Sequence, residues 1–470
     1  MRTAGGDRVR SAIRRRGSIL GRRDGVRRVA IACQGGGSHT AFTAGVLKRL
    51  LTEQKGNYEV VALSGTSGGA ICAFLAWYAL LDKDGDKAEK LLGSFWNDNS
   101  AYTFHEKFVN DLFVWTNRLE GAIVLPTVSP YSTYLSSWAQ DQLRKLLERQ
   151  PINFKSLKER AVSSNLMLLV GAVDVISGEF KAFNSLKGEV GVDTILASAA
   201  LPTLFRAVRI GEGVYWDGLF SQNPPVRELT DANPDEIWVI QIDPERRDRE
   251  PKSMADILDR RNELAGNLSL HQEIHFIEKI NELVDKLGEG DDPDTKRLPL
   301  PGEEKEYKII EVRRIEMSEP LDFASKLDRS PSFIRRLMSY GDRRAGEFLE
   351  AIAFEAAWRA RDPEVVMHFF AEEAEVKLVP PLAGHAIYRG KREIRSVVEE
   401  HLANGLRLDP TKHRVTGDRV TWAVRAPSSH SSGNTVEGKA EAVFREGKIK
   451  SFTFEMQRGY VSENRLSPSA

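Results

Sequence analysis

Cysteine is scarce in this 470-residue sequence, and the net charge is zero. Only Cys33 and Cys72 occur, both in apolar segments, which excludes a disulfide scaffold and predicts buried thiols in a reducing cytoplasm. The 67 Lys and Arg residues balance 67 Asp and Glu residues, so the overall charge gives no reason to expect a nucleic-acid partner. The composition therefore predicts a cytoplasmic globular protein.

Long hydrophobic runs are also missing. The longest, Ala70–Leu81, is too short to span a bilayer and predicts a buried core helix. Residues 1–26 form a basic arm that is rich in arginine, contains only Asp7 and Asp24 as acids, and lacks the apolar segment of a secretory signal. A solvated, disordered arm is predicted, and peripheral contact with an anionic membrane surface is the alternative.

Strand-like and helix-like segments alternate from Val29 onward. Val29–Ala32 and Tyr58–Leu63 predict strands, Ala41–Gln54 has apolar residues at helical spacing, and Ala70–Leu81 predicts a second helix. This order predicts parallel strands covered by helices. Further elements are predicted downstream: strands at Leu166–Asp174, Glu236–Ile242 and Tyr307–Val312, a long helix at Met254–Leu287 broken near Gly266, and a mobile loop at 288–306.

The pattern changes near residue 347, where helices come first and strands follow. The predicted helices are Phe348–Ala360, Asp362–Phe370 and Arg392–Leu402, and the predicted strands include Val420–Val424, Glu437–Arg445 and Lys448–Glu455. This is an α+β order of ordinary domain size. We therefore expect a first domain at 27–346, a second at 347–460 and a tail at 461–470.

The segment "LSGTSGGA" at 63–70 contains a G-x-S-x-G pattern between a predicted strand and a predicted helix. Gly65 and Gly69 flank Ser67, and small neighbours are what a strained turn needs to lift a serine hydroxyl above a sheet. The helix N-terminus that follows favours an anionic species. The pattern indicates that Ser67 is a nucleophile.

Three choices exist for the base that would activate Ser67. Asp217 could form a triad with His271 or His275 in the chain order of α/β-hydrolases, although Ser67 follows only the second predicted strand. His39 is the second choice. The third is Asp217 alone, held in the rigid turn of "WDGLFSQNPPV" at 216–226.

Three consecutive glycines, Gly35, Gly36 and Gly37, follow the first predicted strand. Glycine is used where the backbone turns tightly or approaches a ligand closely. A loop of bare N–H groups after a strand suits the oxyanion that forms when a serine attacks an ester.

Four ordered motifs resemble those of the patatin-like phospholipases: "GGGSHTAFTAGVL", "GTSGG", "ASAALPTLF" and "WDGLFSQNPPV". The resemblance covers about 27–345 and implies a three-layer α/β fold with a mainly parallel sheet and a Ser-Asp dyad. By position, Ser67 would be the nucleophile, Asp217 the general base, and the glycine loop (Gly35–Gly37) the oxyanion donor.

The glycine loop departs from the family pattern at one position. His39 stands where the family usually has arginine or lysine, so either a protonated His39 supports the oxyanion or backbone donors suffice. Ser198, in the "ASAALP" turn, is interpreted as structural and near the acyl pocket.

The second region, 347–460, is similar to the SnoaL-like branch of the NTF2-like fold, an α+β cone. The similarity rests on "FEAAWRARDPEVVMHFFAEEAEVKLV", "YRGKREIRSVVEEHL" and "EGKAEAVFREGKIKSFTFE". Trp358, Phe369 and Phe370 are expected to pack in its core, and His368 and His385 are candidate polar groups of a cavity. Such a domain binds a small apolar molecule or forms a homodimer.

The favoured function is a lipid acyl hydrolase that cleaves phospholipids or other lipid esters through an acyl-enzyme. The sequence shows no metal-ligand spacing and no phosphate-loop lysine, so no cofactor is expected. The alternative is a non-catalytic lipid-binding or scaffold protein that retains the fold.

Overall fold

The computed structural model describes residues 26–54, 58–102, 107, 129–132, 134–202, 204–289, 296–299, 306–319, 321–382, 385–416, 418–427 and 435–456. The basic arm before Val26, most of the 288–306 segment and the tail at 461–470 lie outside these ranges. Two compact units divide the chain. The N-terminal unit comprises Val26–Glu311 and Ile315–Ala345, and the described part of the C-terminal unit comprises Val312–Arg314 and 346–456.

The N-terminal unit is built on a mixed sheet. Its strands are β1 (Arg27–Cys33), β2 (Tyr58–Gly65), β3 (Met167–Asp174), β4 (Phe180–Asn184), β5 (Val208–Ile210), β6 (Gly213–Asp217) and β7 (Glu236–Gln241). β8 (Arg297–Pro299) and β9 (Glu306–Lys308) form a separate antiparallel pair, and β10 (Glu311–Glu316) is divided between the units, since Val312–Arg314 belong to the C-terminal one. The order is β7-β1-β2-β3-β6-β5, with β4 also on β3. β7, β1, β2 and β3 run parallel, whereas β4, β5 and β6 pair antiparallel.

Helices connect and cover these strands. They are α1 (Ala41–Glu53), α2 (Gly68–Leu80), α3 (Gly85–Asp98), α4 (Tyr134–Arg149), α5 (Leu157–Val162), α6 (Val192–Ser198), α7 (Met254–Leu287) and α8 (Pro331–Arg359), of which Pro331–Ala345 belong to this unit. Every residue of α2 from Gly68 to Ala79 is buried, which confirms the predicted core helix. Within the described ranges, no helix combines the length and apolarity needed to cross a bilayer.

Three sequence predictions in this unit differ from the structure. Tyr307–Val312 is not one strand, because the Asn281 side chain bonds both the N–H and the carbonyl of Ile310 and holds that residue between β9 and β10. α7 is not broken at Gly266 but continues for 34 residues. A Cβ at Gly266 would lie 3.0 Å from Asn223 Nδ2, so this glycine serves a close approach between elements. The segment predicted as a loop also contains β8.

The C-terminal unit is an α+β arrangement with a mainly antiparallel sheet. Residues 346–359 of α8, α9 (Pro363–His368) and α10 (Gly390–Ala403) accompany β11 (Phe370–Leu382), β12 (His385–Arg389), β13 (Arg407–Thr416), β14 (Arg419–Pro427), β15 (Thr435–Arg445) and β16 (Lys448–Met456). The strand order is β12-β11-β16-β15-β14-β13, parallel only at β11–β16. The helix predicted to begin at Phe348 begins at Pro331 instead.

Aromatic side chains form the core of the C-terminal unit. The Phe354 ring lies 5.6 Å from the rings of both Phe369 and Phe452, and Trp358 donates its indole N–H to the Leu406 carbonyl. Trp358, Phe369 and Phe370 are buried, which confirms that they pack in the core. His368 and His385, named as candidate polar groups of a cavity, are both exposed.

Candidate active site

Ser67 lies between β2 and α2 in a strained backbone conformation. Its φ of 57° and ψ of −131° are rarely adopted by a residue with a side chain, and such strain persists only where the surroundings impose it. The glycines beside it permit the turn: a Cβ at Gly65 would meet the Gly69 carbonyl oxygen at 2.5 Å, and one at Gly69 would meet the Cys33 carbonyl oxygen at 2.3 Å. The sequence therefore forms a strained strand-to-helix elbow here, with Ser67 in it.

Ser198 fixes the backbone of Ser67. The Ser67 N–H donates to the Ser198 hydroxyl at 2.9 Å, and that hydroxyl donates to the Gly171 carbonyl of β3 at 2.6 Å. The residue after Gly171, Ala172, pairs directly with Asp217 across the β3–β6 ladder. One buried hydroxyl therefore ties the elbow to the strand that positions the carboxylate, a role consistent with the structural interpretation of Ser198.

Asp217 ends β6 and is almost completely buried. Its Oδ1 accepts the N–H of Leu219 at 2.9 Å, and its own N–H donates to the Ala200 carbonyl. Burial raises the pKa of Asp217 to about 7, against the lowering effects of a hydrogen bond with the Ser67 side chain and of the Leu219 N–H. The structure therefore brings together Ser67 and Asp217, which are 150 positions apart, with a carboxylate that titrates near neutrality.

The glycine loop lies against this pair. A Cβ at Gly35 would lie 2.8 Å from the Ser67 Cβ, so only glycine fits there. The Gly35 N–H donates to Asn223 Oδ1 at 2.7 Å, which differs from the predicted role of Gly35 as an oxyanion donor. Among the described residues, no hydrogen bond is seen from the N–H groups of Gly36 or Gly37, and Gly37 is exposed with φ of 57°.

Gln34 holds the beginning of the glycine loop. Its Oε1 accepts the N–H groups of Ile242 and Asp243 at 2.7 and 2.8 Å, and its Nε2 donates to Asn267 Oδ1 on α7 at 3.1 Å. The side chains of Gln34 and Asn223 therefore connect the loop to two distant segments. Asn223 lies in a quoted motif and Gln34 directly precedes one, but the spacing of polar residues along the chain carries no signal for these contacts.

His39 is buried in surroundings that disfavour a protonated imidazole, which argues against the alternative of a charged His39. Burial lowers its pKa well below the usual value, and the positive charges of Lys326 and Arg336 lower it further. Its Nε2 lies 2.7 Å from the hydroxyl of Ser325, which itself donates to the Asp322 carbonyl. His39 Nε2 therefore carries the proton of the hydrogen bond and joins the glycine-loop segment to residues 322–325.

A buried ion network lies beside the loop. The Lys326 ammonium donates to Asp243 and Asp259 at 3.1 and 3.0 Å, and Arg247 pairs with Asp259 and Glu263. Burial alone would lower the pKa of Lys326, but these carboxylates raise it above its ordinary value. A Cβ at Gly37 would lie 2.4 Å from the Lys326 carbonyl oxygen, so the network packs directly on the loop.

The histidine triad is not assembled. His271 Nε2 bonds Glu245 at 2.8 Å, and His275 Nδ1 lies 3.8 Å from Glu278; both imidazoles are exposed on α7. Within the described part of the chain, no group of three or more His, Cys, Asp or Glu side chains is placed to hold a metal ion. Cys33 and Cys72 are buried free thiols, as expected, and burial raises the pKa of Cys72 to about 12.

The C-terminal unit holds one buried polar cluster that the sequence did not predict. Glu355 accepts hydrogen bonds from Arg313 and the Trp422 indole N–H, and its Oε1 lies 2.6 Å from His413 Nδ1. Burial would raise the pKa of Glu355, but Arg313 and His413 hold it well below its usual value. The cluster neutralises its own charges, which is the condition for burying ions in a core.

Comparison with known families agrees with this geometry. Residues 31–230 match the family described as patatin-like phospholipase, and residues 351–452 match the SnoaL-like domain. The chain thus contains a patatin-like phospholipase domain followed by a SnoaL-like domain. The first of these supports lipid acyl hydrolase activity in general.

The solved structures similar to this chain include two bacterial proteins, each of which covers about a quarter of it. An NTF2-like protein of unknown function from Mesorhizobium loti shares 21% identity over 24% of this chain and 90% of its own, with a TM-score of 0.22. A putative polyketide cyclase from Sinorhizobium meliloti shares 20% identity over 23% of this chain and 93% of its own, with a TM-score of 0.19. Comparison with curated proteins finds no match.

Proposed function

We propose that the N-terminal unit hydrolyses acyl esters of phospholipids or related lipids through an acyl-enzyme on Ser67. The observation that carries the proposal is the hydrogen bond between the Ser67 side chain and buried Asp217 at a strained elbow. A carboxylate with a pKa of about 7 is half ionised at neutral pH, which suits a general base.

The reaction follows from these groups. Asp217 takes the hydroxyl proton as Ser67 Oγ attacks the ester carbonyl, and the negative charge that develops on the carbonyl oxygen is held by the N–H groups of Gly36 and Gly37. Collapse expels the alcohol, which receives the proton from Asp217. A water molecule, deprotonated by Asp217, then attacks the acyl-enzyme. The fatty acid is released as the bond to Ser67 Oγ breaks, and the proton held by Asp217 returns to that oxygen. Each oxyanion donor of this kind contributes about 3 kcal/mol in other serine hydrolases.

Neutral, buried His39 supports a mechanism in which backbone donors act without a fixed positive charge from the loop. The role of His39 is then to hold the loop through Ser325, since its hydrogen bond is directed there.

The test is hydrolysis of a panel of phospholipids and acylglycerols by wild type, Ser67→Ala and Ser185→Ala. Ser185→Ala serves as the serine control: Ser185 is buried, and its hydroxyl accepts the Leu168 N–H at 2.8 Å. We expect fatty acid release by wild type and Ser185→Ala and none above background by Ser67→Ala. Lipid binding without hydrolysis by any of the three would favour the non-catalytic lipid-binding alternative.

A further inference from the structure

The outer face of α7 is unusually apolar for a solvent-facing surface. Eight large hydrophobic side chains on it are exposed: Met254, Ile257, Leu258, Leu264, Leu268, Phe276, Leu283 and Leu287. Their exposed fractions reach 63% at Met254, 59% at Leu268 and 65% at Leu287. At about 100° per residue these positions fall within an arc of about 140°, so they form one continuous band, the α7 stripe.

The charged side chains that interrupt the α7 stripe are basic. Arg261, Lys279 and Lys286 lie within its arc and are exposed. Glu282 lies at the edge and pairs with Lys279 at 3.0 Å. A surface that combines exposed Leu, Ile and Phe with Lys and Arg is complementary to a bilayer that contains anionic lipid, because the apolar groups enter the acyl region and the cations meet the phosphates.

Other sides of the same helix contact segments that adjoin the candidate active site. Asn267 accepts from Gln34, which precedes the glycine loop, Ser269 donates to the Ser221 carbonyl at 2.6 Å, and Glu273 accepts the N–H groups of Val226 and Arg227. α7 therefore connects an exposed apolar face to the loops around Ser67 and Asp217 without intervening elements.

We propose that the α7 stripe lies on the surface of an anionic lipid bilayer and brings the site to its substrate. The purpose of this contact rests on the proposed function, but the contact itself is measurable without catalysis. Long solvent-facing apolar bands are uncommon on proteins that do not bind a partner or a membrane. The basic character of the stripe favours anionic headgroups over a second copy of the same stripe, because two identical basic faces repel each other.

The experiment is flotation of the full chain with vesicles of phosphatidylcholine alone and of an equal mixture of phosphatidylcholine and phosphatidylglycerol. The test variant is Leu264→Glu with Leu268→Glu, and the control is Ile176→Glu, which alters an 81% exposed side chain after β3. All chains keep the basic arm, so its contribution cancels. Melting temperatures verify that each variant is folded.

We expect wild type and Ile176→Glu to float with the mixed vesicles and to bind less to vesicles of phosphatidylcholine alone. The double variant should lose at least about tenfold in partition to the mixed vesicles, while hydrolysis of a water-soluble short-chain ester stays at the wild-type level. Equal flotation of the double variant and wild type would overturn the proposal. So would dissociation of a wild-type dimer by the double variant, which would make the stripe an interface between copies. A wild type that floats but hydrolyses no ester would refute the proposed function and leave this inference standing.

Discussion

Replacing Asp217 by asparagine should stabilise the N-terminal unit at alkaline pH while removing activity. Asp217 has a pKa of about 7 in the folded protein and 3.8 as the ordinary value, mainly because burial disfavours the charged carboxylate. A folded pKa above the unfolded one means that the folded state holds the proton more tightly. Protonated Asp217 therefore makes its whole contribution to the free energy of unfolding below about pH 4, and this contribution is lost as the pH rises through about 7.

The magnitude follows from the pKa difference. A difference of about 3 corresponds to about 4 kcal/mol in all, at about 1.4 kcal/mol for each pH unit. Between pH 5 and pH 8 wild type should lose about 3 kcal/mol that Asp217→Asn does not lose, since asparagine is neutral throughout and its amide oxygen can still accept from the Leu219 N–H. The free energy of unfolding of Asp217→Asn relative to wild type should therefore increase by about 3 kcal/mol between pH 5 and pH 8.

The assay is thermal unfolding of wild type, Asp217→Asn and the control Asp174→Asn at pH 5 and pH 8. Asp174 lies on neighbouring β3 and accepts the N–H groups of Ile176 and Ser177 in a surface turn. The Asp217→Asn variant should gain roughly 5 °C relative to wild type between the two pH values. An equal difference from wild type at pH 5 and pH 8 would refute the assignment of a raised pKa to Asp217.

Further outcomes follow from the same geometry. The value of kcat/KM should fall about tenfold for each pH unit below 7, because ionised Asp217 is the base; a flat profile down to pH 5 would contradict this. Ser198→Ala should lower kcat roughly 10- to 100-fold with little change in KM, unlike Ser185→Ala, and Ser198→Thr should recover activity. Asn223→Ala should reduce kcat/KM by a similar factor because it frees the Gly35 loop; wild-type turnover would refute that role. His39→Ala should show the same decrease of kcat/KM below pH 7 as wild type. His39→Arg should lower the free energy of unfolding by at least about 3 kcal/mol, because it buries a charge beside Lys326.

The regular elements near the site were predictable because their signals are local. β1, α1, β2 and α2 follow from short apolar runs and helical periodicity, and the predicted positions agree with the structure. Gly266 was misread, because glycine in a helix can mark either a break or a close contact, and only the position of Asn223 decides between them. The two-strand division near Ile310 depends on Asn281, a residue on another element.

In the candidate site, too, some residues were predictable from local sequence and others were not. Ser67 and Asp217 were predicted from motifs whose local geometry is encoded by neighbouring glycines. The partner of His39, by contrast, is Ser325, which is 286 positions away, and the partner of the Gly35 N–H is 188 positions away. No local pattern reports on such contacts, so the neutral state of His39 and the role of Asn223 required the folded chain.

The most direct test of the account is covalent labelling with a fluorophosphonate, read by mass spectrometry of the intact protein and its peptides. We expect one adduct on wild type, located at Ser67, no adduct on Ser67→Ala, and markedly slower labelling of Asp217→Asn, since the nucleophile loses its base. An adduct at another serine, or labelling of Asp217→Asn at the wild-type rate, would contradict the assignment of Ser67 and Asp217 as the reacting pair.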